Sequence, residues 1–251
     1  MNVCILGASK TGKTRSLSTL PGRTAICSFD PEGYASLRSS YAVFEAGLGE
    51  DAIEHLGEVD AVVMDYAAES EQVGLDFGHK RQKGSKVETY RAFLQDFNKF
   101  LSSSKTDNIA LDGLTGMSTL VLDAVLESNL RAKANLMADF GDAINKLTEI
   151  LVCLTAARTK NGILLCHINT TKDEPTGKLI QLPNVYGQKF PETMLGFFSN
   201  VFQTTVNGGR YLWNTKPQPL MESMGSRQFD NLPERIVQDF DQLFKGQAKK
   251  G

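Results

Sequence analysis

The stretch VCILGASKTGKTRSL, residues 3–17, is an apolar run that stops at a glycine and resumes with helical spacing. A buried strand passing through glycine into a helix is the opening unit of an α/β chain. Between the two lies Gly7-Ala8-Ser9-Lys10-Thr11-Gly12-Lys13-Thr14, which fits G-x-x-x-x-G-K-[ST] at every fixed position. Gly7 and Gly12 let the backbone turn tightly, so that successive N–H groups face one anion and the helix adds its positive end. In that pattern Lys13 is expected to reach the β- and γ-phosphates of a nucleotide, and Thr14 to place a hydroxyl on Mg2+. A chance match somewhere in a chain this long is on the order of one in a hundred. Here the motif also joins a predicted strand to a predicted helix, the context it requires.

Outward from that loop the pattern alternates strand and helix. A strand over 2–6 and a short helix over 13–20 end at the stop signal Pro21-Gly22. TAICSF (24–29) reads as a second buried strand, and 41–46 and 60–66 as further ones. Residues 67–87 are polar and read as a long surface loop. Phe93, Leu94, Phe97, Phe100 and Leu101 then recur at helical spacing within 88–101. NIALDGLTG (108–116) predicts a strand ending near an aspartate, followed by helices over 117–136 and 139–160 and a strand over 162–169. Residues 201–215 carry a hairpin signal with Asn207-Gly208 as the turn. An amphipathic helix over 232–244 closes the chain. Without repeats or linkers, this predicts one α/β domain over 1–246 with a mainly parallel sheet flanked by helices, a C-terminal β-hairpin and a frayed tail over 247–251.

Composition narrows the possibilities. The 251 residues suffice for one sizeable α/β domain, and 41% hydrophobic with 22% charged residues is the balance of an ordinary globular protein. A net charge of −2 supplies no global attraction to nucleic acid, so any such binding needs a local patch. No apolar run approaches the roughly 20 residues of a membrane span, and the predicted first strand at Asn2 leaves no room for a leader before it. Cys4, Cys27, Cys153 and Cys166 all lie in apolar segments without metal-site spacing. They read as buried free thiols in a reducing compartment, which predicts a cytoplasmic protein.

A phosphate loop needs a second acid for the metal's water shell, at the end of a strand beside the loop. Asp112, closing NIALD, fits best, and Asp65 in AVVMD has the same local look. Hydrolysis also needs a group to orient or deprotonate water. Glu32, in SFDPEGY just after the second strand, is the candidate, against the alternative of an acid that merely favours a helix start. His167 at the end of ILLCH, or Asn169, stands where the γ-phosphate would be sensed, although a strand-end histidine is often only packed or capped.

GASKTGKT, then FDPEG after the second strand, then NIALDGLT and ILLCHIN, resemble in order the RecA-like recombinase ATPase core. The resemblance implies Glu32 as the water-activating residue, Asp112 as the metal partner and His167 as the sensor. MADFGDAINKLTEIL, the stretch from CHINTTKDEPTGK through FFSNVFQT, and LPERIVQDF resemble the compact RecA-related ATPases of bacteriophages, including phage single-strand annealing recombinases. The likeness covers most of the chain outside 40–107. It departs at Pro31, where the family more often has threonine, and at His167, where RecA itself has glutamine. The resemblance implies ATP and Mg2+ as cofactors and single-stranded DNA as partner. It further implies a homo-oligomer, ring or filament, and a possible partnership with a single-strand-binding protein. Preference for ATP over GTP comes from the family, there being no N-K-x-D motif.

Lys80, Arg81, Lys83, Lys86 and Arg91, with Tyr90 for stacking, are the candidate DNA contacts, against the bland alternative of a solvated lysine-rich loop. NTTKDEPTGK, after the sensor strand, offers Thr170, Thr171 and Lys172 as weaker ones, opposed by Asp173 and Glu174. A cation completing the neighbour's site would couple turnover to assembly. Arg227 is the candidate, with Lys216 and Arg210 as rivals, and each alone is compatible with an ordinary surface charge. Two other functions fit the same loop: a nucleotide-gated DNA-binding module with little hydrolysis, and a small-molecule kinase.

Overall fold

A computed structural model of the protein describes residues 1–31, 33–67, 85–129, 136–173, 176–229 and 231–248. In chain order the strands are β1 (Asn2–Gly7), β2 (Thr24–Ser28), β3 (Tyr41–Glu45), β4 (Ala61–Asp65), β5 (Asn108–Asp112), β6 (Asn161–Lys172), β7 (Leu179–Pro183), β8 (Asn200–Asn207), β9 (Arg210–Asn214), β10 (Gly225–Ser226) and β11 (Arg235–Val237). The helices are α1 (Lys13–Ser16), α2 (Gly49–His55), α3 (Lys86–Ser102), α4 (Leu114–Asn129), α5 (Leu136–Ala156), α6 (Phe190–Thr193) and α7 (Phe240–Ala248). The fold is α/β, as its alternating pattern predicts.

The sheet runs β11-β9-β8-β1-β6-β5-β2-β4-β3, with β10 added to β8 and β7 to β6. From β8 to β3 all neighbours are parallel, so their carboxyl ends share one edge. Strands buried on both faces read as continuous apolar runs, and VCIL, TAIC and AVVM are such runs. Alternate residues divide between two cores. Cys4, Leu6, Cys27, Met64 and Leu111 face the layer that contains α2 to α5, while Val3, Ile5, Ile26 and Val63 face Trp213 and Phe240 of β9 and α7. Trp213 is fully buried, stacked on Phe202 and edge-on to Phe240. Among the described residues no helix is long and apolar enough to cross a membrane.

Several expectations need correction. Residues 232–244 are not one helix: Arg235–Val237 pairs antiparallel with β9, and α7 begins only at Phe240. The helical spacing of Ile236, Phe240, Leu243 and Phe244 conceals the break, yet Asp239 caps α7 by accepting from the Gln242 N–H. The helix then reaches Ala248, into the predicted tail. The hairpin turn is Gly208-Gly209, with φ of 55° and 76°, because Asn207 still pairs with Arg210. Two consecutive residues at positive φ match the twist of a two-residue hairpin.

The strand β5 ends at Asp112, the aspartate expected to close it. Gly113, at φ 96°, turns the chain so that α4 starts three residues earlier than its pattern suggests. Ser85 caps α3 by accepting from Glu88 N–H, an S-x-x-E start that moves the helix into the predicted loop. The strand predicted over 162–169 runs on to Lys172, and its end pairs with β7. Cys153 is exposed, whereas Cys4, Cys27 and Cys166 are buried free thiols.

Candidate functional site

The loop between β1 and α1 opens at the carboxyl edge of the parallel strands, the edge where open α/β sheets take ligands. Lys10 at φ 62° and Gly12 at φ 86° give it its sharp reversal. Gly7 answers to a different demand. A Cβ there would sit 1.8 Å from Thr204 Oγ1 on β8, so only glycine lets the loop lie against that strand. The loop is tied down from the C-terminal half. Thr11 Oγ1 and Thr204 Oγ1 are 2.5 Å apart, and the Gln238 amide donates to the Thr11 carbonyl at 3.0 Å and to the Leu212 carbonyl at 3.0 Å. Ala8, Ser9 and Lys10 form the exposed crest.

Lys13 is buried and folded back over the loop. Its ammonium donates to the carbonyls of Gly7 (3.1 Å) and Ala8 (2.8 Å) and lies 3.4 Å from Nδ1 of His167. Burial lowers its pKa, opposed by the charges of Asp112 and Asp30. Thr14 donates its hydroxyl to Asp112 Oδ2 at 2.7 Å, joining the end of β5 to the start of α1. Asp112 is 1% exposed, and Oδ1, its second oxygen, has no hydrogen-bond partner among the described residues. Burial, with the Asp30 charge adding, pushes its carboxyl up to about 6 against the Thr14 bond and the Lys13 and His167 charges. A hydroxyl and an unsatisfied carboxylate oxygen are hard oxygen donors of the kind Mg2+ takes when phosphates and water complete its shell.

His167 ends the buried part of β6, in register with Gly7 of β1. Its Nε2 lies 3.2 Å from Asp30 Oδ2. An ammonium only donates, so the Lys13 contact requires Nδ1 to accept and places the ring proton on Nε2, donated to Asp30. Asp30 in turn fits because residue 113 is glycine: a Cβ there would lie 2.8 Å from Asp30 Oδ1. The result is a chain of three groups, Lys13, His167 and Asp30, along an open cleft of about 610 Å³, with the buried Asp112 behind it through its bond to Thr14. Pro31, Gly33 and Ser36 line its outer side and Tyr211 of β9 its far wall.

The structure thus brings together Gly7 to Thr14, Asp112 and His167. Asp65, the rival acid, is on β4, two strands from β5, and accepts from the Tyr34 hydroxyl at 3.0 Å. Asn169 lies beyond the site, paired with Leu182 of β7. Glu32 lies outside the described residues. Lys80, Arg81 and Lys83 also lie outside them. Lys86 opens α3 with its N–H on the Glu127 carboxylate (2.7 Å), and Arg91 is exposed on α3. Neither Lys86 nor Arg91 lines the cleft. Arg227 is not brought to it either: it follows β10, beside the amino ends of β1 and β8, and its guanidinium reaches the Gly196 carbonyl at 3.5 Å. Arg210, by contrast, opens β9 at the loop's edge.

Sequence reasoning passes over Asp30, Thr204, Tyr211 and Gln238. Only Asp30 leaves a local signal, as a strand-end acid two residues before Glu32. No protein-family model matches the chain, and no curated protein sequence matches it.

Proposed function

We propose that the protein is a RecA-like P-loop ATPase that binds ATP with Mg2+ and acts on single-stranded DNA in phage-type recombination. The reading rests first on one observation. A G-x-x-x-x-G-K-T loop at the carboxyl edge of a parallel sheet is closed by the Thr14–Asp112 hydrogen bond, with an orphaned carboxylate oxygen behind it. Its DNA partner and its oligomeric assembly, with a single-strand-binding protein as a further partner, rest on the resemblance of GASKTGKT, FDPEG, NIALDGLT and ILLCHIN to the recombinase core.

In this reading the loop's N–H groups and the Lys13 ammonium bind the phosphates, Lys13 exchanging the Gly7 and Ala8 carbonyls for phosphate oxygens. Thr14 and Asp112 hold the metal, which when bound neutralises charge on the β- and γ-phosphates. Glu32 takes the proton of the attacking water, and His167, released by Lys13, senses the γ-phosphate by donating its ring N–H to a phosphate oxygen in place of Asp30. Arg227 of a neighbouring copy is the cation that completes the site, which suits a residue far from its own cleft. Nucleotide occupancy then gates DNA binding and assembly.

The test is phosphate release from ATP, with and without oligo-dT, at two salt concentrations. Turnover that requires Mg2+, rises with DNA, loses that rise at high salt and disappears in Glu32→Gln supports the reading. Absence of DNA binding in every nucleotide state removes the recombinase half. Transfer of phosphate to a metabolite makes the protein a kinase instead.

A further inference from the structure

A second pocket adjoins the phosphate cleft. It has a volume of about 430 Å³ and shares two residues with the cleft, Arg15 and Tyr211. Arg15 directly follows the loop, and its guanidinium lies over the Tyr211 ring, 5.0 Å from the centroid. Beyond that shared wall the pocket adds Arg38, which follows the short turn of helix after Gly33, and Arg210 at the tip of the β8–β9 hairpin. Three guanidiniums from three separate segments therefore line one pocket, and among the described residues no carboxylate lines it. Among the same residues none of the three joins an ion pair. In a chain of net charge −2 such a concentration runs against the general balance.

The chemistry selects the ligand. Guanidinium groups only donate, in a planar fork that matches phosphate oxygens. Three of them together suit more than one anionic group, which is the repeat of a phosphodiester backbone. Arg15 already covers one face of the Tyr211 ring, so a base stacks on the outer plane of that guanidinium, and stacking needs an unpaired base. The volume admits about one nucleotide unit at a time. We infer that this pocket binds the backbone of single-stranded nucleic acid, with one base stacked on the Arg15–Tyr211 pair, beside the nucleotide site and sharing that pair with it. This rests on the reading above that single-stranded DNA is the partner, but it moves the contact from the basic stretch 80–91 to Arg15, Arg38 and Arg210. It also supplies a route for coupling, since Arg15 follows Thr14 in the chain and Tyr211 faces both ligands.

Arg38 and Arg210 are exposed, so charge reversal there leaves both cores intact. The experiment compares the full chain with Arg38→Glu/Arg210→Glu and Arg38→Lys/Arg210→Lys, reading anisotropy of labelled oligo-dT and of a labelled ATP analogue across a salt series. The expected result is at least tenfold weaker oligo-dT binding in the double-Glu variant, with ATP-analogue affinity and thermal midpoint unchanged. The slope of log affinity against log salt should fall by roughly 0.7 for each lost phosphate contact. The double-Lys variant should keep the charge and recover part of the affinity. Equal oligo-dT binding by wild type and double-Glu overturns the pocket while leaving DNA as partner. Loss of ATP-analogue binding in its place assigns the pocket to the nucleoside half of ATP. A wild type that binds the ATP analogue but no oligo-dT overturns both the pocket and the DNA reading.

Discussion

Replacing Asp112 by asparagine should, above about pH 6, leave the nucleotide-free protein between equally stable and about 2 kcal/mol more stable, while disabling its site. The carboxyl is fully buried, and its pKa stands at about 6 against an ordinary 3.8. Between those two values the native state holds the proton more tightly than the unfolded chain, so stability falls as pH rises through this window. Above about pH 6 the full penalty remains. At about 1.4 kcal/mol per tenfold change in proton affinity it is about 3 kcal/mol. The substituted amide would keep an acceptor for the Thr14 hydroxyl and carry no charge, at a pH-independent cost of about 1–3 kcal/mol for its buried N–H donors. The informative quantity is therefore the slope. Urea unfolding of both proteins, with chelator and no nucleotide, should show the variant gaining on wild type by about 3 kcal/mol between pH 3 and pH 7.5. Mg2+-ATP should then stabilise wild type, and bind the variant roughly 10–100-fold more weakly. Parallel stability curves across that range would refute the buried, proton-competent carboxylate and with it the argument that a cation belongs there.

Other expectations follow from individual contacts. Gly7→Ala drives a methyl into Thr204 Oγ1 and should cost about 1–3 kcal/mol, part of it recovered in Gly7→Ala/Thr204→Ala, read by thermal unfolding and nucleotide affinity. In wild type, nitrogen-15 spectra should show His167 with its proton on Nε2. Asp30→Ala removes the 3.2 Å acceptor and should shift the ring toward a mixture of tautomers, whereas an unchanged spectrum would discard the Lys13–His167–Asp30 chain. Thiol titration should find one fast cysteine, Cys153, and three slow ones, because burial raises the Cys27 and Cys166 thiols and shields Cys4. Several fast thiols would mean that the sheet core opens.

What the sequence discloses here depends on how far a residue's partner lies along the chain. The loop glycines, Lys13 and Thr14 are legible because the motif, its strand and its helix are contiguous. Asp112 and His167 are legible because each ends an apolar run, and strand ends in a parallel sheet converge on one edge. Choosing Asp112 over Asp65 needs the strand order, which no local pattern contains. Asp30 is in plain view in the sequence, but its role depends on the missing side chain at Gly113 and on a histidine 137 residues away. Thr204 and Gln238 reach Thr11 across 193 and 227 residues and carry no signature of their own. The β11 strand is hidden by a helical spacing that pairing with β9 overrides, since backbone bonding to an existing sheet edge outweighs a three-residue preference.

The placement of β1 between β6 and β8 has a consequence for biosynthesis. The strand that carries the G-x-x-x-x-G-K-T loop is made before both its neighbours, Asn161–Lys172 and Asn200–Asn207, which follow it by about 150 and about 190 residues. At roughly 5–20 residues per second, the run VCIL waits on the order of 8–33 s before its first flank is covered. A nascent chain therefore displays the whole G-x-x-x-x-G-K-T stretch long before the cleft around it is assembled. Ligand cannot rescue an early arrest, and protection of that first strand falls to whatever binds the emerging chain.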